Sequence, residues 1–225
     1  KAKGNWIGIL DIDDVWTKEK LECQVEVINQ SNTNESEIGL IYGRVLEIDE
    51  MSHEVGELAH SQYKKKKLPE GLILKELLIN GNFIMNPSIL FSMKAFKEIG
   101  GFPKGYLNAS DYFITCAISS KYSVGFVNKY VAKYREHGDN LTLSQKVVAY
   151  EEQLMVFNKW ANFTDLTESQ KLHRVKELNT MIALMEIKYQ KNFIKGIKII
   201  FSQNSVYMSI RMVTKHLFSI LKFSK

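Results

Sequence analysis

The sequence predicts an α/β fold in which strands and helices alternate up to about residue 140 and helices alone follow. Three observations lead there. Apolar runs of strand length, such as Trp6-Ile-Gly-Ile-Leu10 and Ile38 to Ile48, alternate with segments whose apolar residues recur every three or four positions. From Ser144 onward only the helical period remains. The 225 residues, 45% hydrophobic and 24% charged, can bury a sizeable core and exclude a disordered or fibrous chain.

In chain order, Trp6 to Leu10 reads as a buried strand ending at acidic residues. Thr17 is placed to cap the next helix, whose body from Lys20 to Gln30 carries a stripe of Leu21, Val25 and Ile28. Ser31 to Ser36 is a polar loop. Ile38 to Ile48 is a strand, and Glu54 to Leu58 returns beside it as a hairpin. The lysines 64 to 67 read first as a solvated loop and second as an anion-binding one. Pro69 opens a helix that runs through Leu78 and stops at Asn80-Gly81. Phe83 to Phe91 is a strand made irregular by Pro87. Lys94 to Ile99 is a short helix closed by Gly100-Gly101, a pair suited to a left-handed cap. Asn108 or Ser110 caps a helix from Asp111 to Ser120, and Ser123 to Val127 and Tyr130 to Tyr134 are two short strands. Thr164 or Thr167 caps a long amphipathic helix beyond.

Lys and Arg number 30 against 25 Asp and Glu, a net charge of +5. The excess is local: no acid follows Glu186, and that tail carries Lys188, Lys191, Lys195, Lys198, Arg211, Lys215, Lys222 and Lys225. Within it, Ile210, Val213, Leu217, Ile220 and Leu221 share a helical face. Such a tail suits the surface of an anionic membrane, or else a helix packed on the domain with its lysines in water. Nucleic-acid binding fits the charge but lacks the motifs of a known module. Cys23 and Cys116 have no CxxC partner, which points to two buried thiols in a reducing compartment. No signal peptide is read at Lys1, and no run reaches the ~18 apolar residues of a membrane span. The expected location is cytoplasmic, with a peripheral place on a membrane face.

The most informative segment is Leu10-Asp-Ile-Asp-Asp-Val-Trp16. Three clustered carboxylates repel one another, and a divalent cation relieves that repulsion. Oxygen donors suit Mg²⁺ or Mn²⁺, which also bind phosphate oxygens. On a strand, Asp11 and Asp13 point to the same side. A helix N-terminus accounts for Asp13 or Asp14 but not for Asp11. Two chemistries want such a segment. A haloacid-dehalogenase-type phosphatase would use Asp11 as nucleophile and Asp13 as acid/base. It also needs a second acidic cluster downstream, and no such turn is found. A nucleotide-sugar transferase would use the acids to hold the cation that neutralises a leaving diphosphate.

The second reading gains from a resemblance. Gly4 to Trp16 with Lys18-Glu-Lys-Leu21 resembles the "LDxDDxW" strand and following "KL" of the family-two glycosyltransferases. Phe83 to Phe91 with Phe96-Lys-Glu-Ile-Gly-Gly-Phe102 resembles that family's acceptor-side segment. Asn108-Ala-Ser-Asp-Tyr112 stands where the family has Glu-Asp, with Ser110 for the Glu and Asp111 kept. Tyr134-Arg-Glu-His137 with Asn140-Leu-Thr142 resembles the segment that closes over the donor diphosphate.

The resemblance covers residues 1–143 and implies a partial GT-A domain, a Rossmann-like mixed sheet flanked by helices. It lacks the N-terminal part of the nucleotide-binding half. Residues 144–225 form a helical, basic C-terminal region. An inactive truncated remnant is the alternative.

The implied reaction moves a sugar from a nucleoside diphosphate to an acceptor hydroxyl, of a saccharide or lipid-linked saccharide, with inversion. Asp111 is the implied base; its plain alternative is a helix cap. Asp13, Asp11 and His137 are the implied ligands of Mn²⁺ or Mg²⁺. Asp11, Asp13, Asp14 and Arg135 bind the donor, Arg135 through its planar fork. Trp16 reads as core packing before pocket wall.

Overall fold

The computed structural model describes residues 2–31, 37–58, 67–137, 145–189 and 192–203. The polar loop 32–36, lysines 64 to 66, the Asn140-Leu-Thr142 motif and the amphipathic face from Ile210 to Leu221 lie outside the described residues.

The architecture is α/β, a mixed sheet flanked by helices. Its strands are β1 (Trp6–Gly8), β2 (Val15–Trp16), β3 (Ile38–Ile48), β4 (Glu54–Leu58), β5 (Leu90–Ser92) and β6 (Ser123–Arg135). The order is β1-β5-β3-β6-β2, with β4 also on β3. Among the described strands only the central pair β3–β6 is parallel. The helices are α1 (Lys20–Ser31), α2 (Leu74–Asn80), α3 (Met93–Glu98), α4 (Ser110–Ser119), α5 (Lys146–Trp160), α6 (Glu168–Lys188) and α7 (Phe193–Gln203).

The main core lies between the sheet and α2, α4 and α5, with Leu40, Tyr42, Phe91, Ile114, Val156 and Phe157 inside it. Each such side chain contributes about 1.5–3 kcal/mol by burial. Phe113 of α4 meets Trp160 of α5 edge-on at 4.6 Å. α5, and α6 through Leu178, therefore share this core with the strands and helices before them, whereas Ile200 of α7 packs in a separate small cluster with Ala183 and Ile187 of α6. Both cysteines are free and buried, on α1 and α4.

Several local expectations are corrected. The first strand is three residues long and lies at the sheet edge, because the chain turns at Asp11–Asp14, where the Asp14 N–H donates to the Asp11 carbonyl at 3.2 Å. The acids thus sit on a turn, and the strand alternation assumed for Asp11 and Asp13 does not apply. Pro69 does not start α2: its carbonyl accepts from the Tyr42 hydroxyl and Gly71 bridges to Val124, so the helix begins at Leu74. Pro87 sits in a single 3₁₀ turn (Asn86–Ser88), which confines the expected strand to Leu90–Ser92. The two expected late strands are one, β6, whose register slips at Asn128 and Lys129 between the pairs Gly43–Val127 and Arg44–Tyr130.

The caps divide. Gly100 and Gly101 take positive φ, and Thr167 forms a capping box with Gln170. Thr17 instead donates its hydroxyl to the Tyr130 carbonyl. Neither Asn108 nor Ser110 caps α4. The Glu152 carboxylate instead reaches from α5 to the peptide groups just before the helix, accepting from the N–H groups of Leu107, Asn108 and Ala109 at 2.7, 2.8 and 2.8 Å.

Candidate active site

Asp11 to Asp14, His137 and Asp111 line one open cleft of about 840 Å³. Three parts of the chain build it: the turn after β1, the residues just beyond β6, and the first turn of α4. Two more walls come from the segment Asn82–Pro87 and from α5, which contributes Ala149 and Gln153.

On the acidic side, Asp13 Oδ2 lies 3.0 Å from His137 Nε2. That contact holds the Asp13 carboxyl below the usual range. Asp14 is only 7% exposed. Its Oδ1 accepts from the Arg135 N–H at 3.0 Å, while Oδ2 is buried with no hydrogen-bond partner among the described residues. Desolvation, aided by the charges of Asp13 and Asp11, pushes Asp14 up to about 6. Asp11 is exposed and accepts from Asn86 Nδ2 at 3.0 Å.

Arg135 differs from expectation. Its guanidinium donates to the carbonyls of Asp13 at 2.9 Å and Asp49 at 2.9 Å, and to Ser52 Oγ at 3.0 Å. It ties the acidic turn to the β3–β4 connection, so in this structure the planar fork holds backbone.

In the same lining, Asp111 stands in the first turn of α4 with Asn82 Nδ2 donating to its Oδ2 at 2.9 Å. Loss of solvent pushes its pKa up to about 6 against the lowering effect of these donors, and the charge of Asp11 adds to the rise. A carboxyl near 6 is suited to take a proton at neutral pH.

Among the described residues no group of three His, Cys, Asp or Glu side chains is close enough to hold a metal ion unaided. The Asp13–His137 spacing still fits two neighbouring donors of an octahedral cation, about 3 Å apart for ligands at 2.0–2.1 Å. Such cations commonly keep waters and take their remaining ligands from phosphates.

Beneath the cleft, Lys20 is 1% exposed and donates to the Ser88 carbonyl at 2.8 Å. Burial lowers its amine to about 7. Gln24 is fully buried and donates to the same carbonyl at 2.8 Å. The two pin the Asn86–Ser88 turn that carries Asn86 to Asp11. Trp16 packs against Gly8, where a Cβ would come within 2.6 Å of its ring, and Lys20 Nζ lies 5.0 Å from that ring. Asn82, Asn86 and Gln153 escaped sequence reading. Asn86-Pro87 signals a turn, but nothing local announces which acid each amide meets.

No family model matches the chain. It is 26% identical over 193 residues to an uncharacterized glycosyltransferase of Rickettsia typhi, covering 84% of this chain and 57% of the relative. An uncharacterized glycosyltransferase of Methanocaldococcus jannaschii is 26% identical over 136 residues, 60% of this chain and 43% of its own. One of Rickettsia prowazekii is 29% identical over 142 residues, 62% and 42%. The chain spans about half the length of these curated relatives. Among solved structures, S. aureus TarS 1-349 has a similar fold, with TM-score 0.53 at 13% identity, covering 89% of this chain and 55% of that one.

Proposed function

We propose that the cleft transfers a sugar from a nucleoside diphosphate to an acceptor hydroxyl, with inversion at the anomeric carbon. The observation that carries this reading is the shared cleft: a turn of three acids with His137, and an elevated carboxyl, Asp111, in the same lining. The similarity to proteins named glycosyltransferases supports it.

Asp13 and His137 would hold Mn²⁺ or Mg²⁺, with Asp11 beside them. The cation's contribution is to neutralise charge on the departing diphosphate. Arg135 keeps the acidic turn in place by gripping its backbone. Asp111 takes the acceptor proton as the acceptor oxygen bonds to the anomeric carbon. The bond from that carbon to the diphosphate breaks, and the diphosphate leaves with the electron pair. One displacement with one base gives inversion. Gln153 offers its amide to hydroxyls in the cleft.

The acceptor is proposed to be a saccharide or lipid-linked saccharide reached at an anionic membrane face. No helix among the described residues is long and apolar enough to cross a membrane. On α7, however, Phe193, Ile194, Ile197 and Phe201 form one exposed apolar face, with Lys195 and Lys198 beside it.

The test is incubation with Mn²⁺, a panel of nucleotide-sugars and saccharide acceptors. Nucleoside diphosphate released in step with a product of inverted configuration is expected, and Asp111→Asn should abolish it while leaving donor binding. Phosphate release from sugar phosphates instead would make the acidic turn a phosphatase site. No nucleotide binding with any divalent cation would make this chain an inactive remnant.

A further inference from the structure

Asn82 sits where two fixed stretches meet. Before it, the Gly81 N–H closes α2 onto the Leu77 carbonyl, with Gly81 at φ +80. After it, Phe83 and Ile84 are buried at 3% and 1% exposure. The side chain between them is held at both ends. Its Oδ1 accepts from the Ile84 N–H at 3.3 Å, and its Nδ2 donates to Asp111 Oδ2 at 2.9 Å. Turning the amide over would set two donors together at Ile84 and two acceptors together at Asp111. The donor therefore faces the carboxylate in the one orientation that both neighbours accept.

We propose that Asn82 is a positioning residue for Asp111, fixing the direction of its carboxylate and keeping it ionised for proton uptake. This rests on the reading of Asp111 as the base. The groups acting on Asp111 are few. Burial and the Asp11 carboxylate across the cleft favour its neutral form; the N–H groups at the start of α4 and Asn82 favour the charged form. Cys116, one turn along α4, is a buried thiol. The Tyr112 hydroxyl is turned away to the Leu77 carbonyl at 2.8 Å. Removing the amide donor tips the balance toward the protonated carboxyl.

The decisive variant is Asn82→Asp. It keeps the size of the side chain and an oxygen for the Ile84 N–H, and it replaces the donor by a second carboxylate, whose charge adds to the effect. Asn82→Ala serves as the neutral comparison. The Asp111 carboxyl is titrated by ¹³C NMR in the free protein, its signal assigned with Asp111→Asn. The expected result is an upward shift of the midpoint, about one pH unit in Asn82→Ala and more in Asn82→Asp. In transfer assays the acid limb of kcat/KM moves up by the same interval, with the donor KM unchanged and the rate recovering above pH 8. A midpoint that stays put in both variants overturns the inference, whether or not the protein transfers sugar. A midpoint that rises while the pH–rate profile does not move upholds the contact and removes Asp111 from the role of base.

Discussion

Replacing Lys20 by Met should stabilise the protein, and by more at pH 7 than at pH 9. The side chain is 1% exposed, and its amine falls from 10.5 to about 7 because of burial. A lysine whose folded pKa lies below its unfolded value costs nothing above the unfolded pKa. The cost grows as pH falls and is complete below the folded pKa. With these values the penalty is about 4 kcal/mol at pH 7 and about 2 kcal/mol at pH 9. Met fills nearly the same volume and has nothing to desolvate. The variant gives up the hydrogen bond to Ser88, worth about 1 kcal/mol, but Gln24 still donates to that carbonyl. The net gain is about 2–3 kcal/mol at pH 7 and near 1 kcal/mol at pH 9. Urea denaturation of both proteins at the two pH values measures it. A variant destabilised by the same amount at both would show that the amine is charged and compensated where it lies, and the reasoning fails.

Glu152→Ala strips the carboxylate from three peptide N–H groups in a site 4% exposed, and should cost about 2–4 kcal/mol in urea denaturation. Asp13→Ala and His137→Ala should each weaken Mn²⁺ binding at least tenfold by calorimetry with nucleoside diphosphate present, whereas Gln153→Ala should leave it unchanged. Ile194→Glu with Phe201→Glu on α7 should reduce co-sedimentation with vesicles containing anionic phosphatidylglycerol severalfold. It should not change the melting temperature, since these side chains are 72% and 40% exposed.

What the sequence made legible follows from range. The acidic turn, Asp111 and His137 were legible because each stands in a short segment with its own motif. Gly100-Gly101 and Thr167 were legible because a helix end is decided within four residues. The Glu152 contact was not legible, since its partners lie more than 40 positions earlier and any exposed glutamate would look the same. The bonds from Asn82 to Asp111 and from Asn86 to Asp11 are hidden for the same reason. The apolar pattern runs longer than the strands where a turn intervenes, at Asp11–Asp14 and at Pro87. The break expected at Asn128-Lys129 is real, but the ladder absorbs it as a slip in register.

The parallel pairing of β3 with β6 has a consequence for biosynthesis. Ile38 to Ile48 must wait for Ser123 to Arg135, about 85 positions later, before its second edge is closed. The same late strand carries the chain to His137. A nascent chain halted before residue 123 would leave the ribosome with a long, apolar strand edge uncovered and with Asp13 lacking its His137 partner. Chains of such high contact order fold slowly and expose sticky edges meanwhile. Chaperone supply during expression should therefore govern yield more than the stability of the finished protein does.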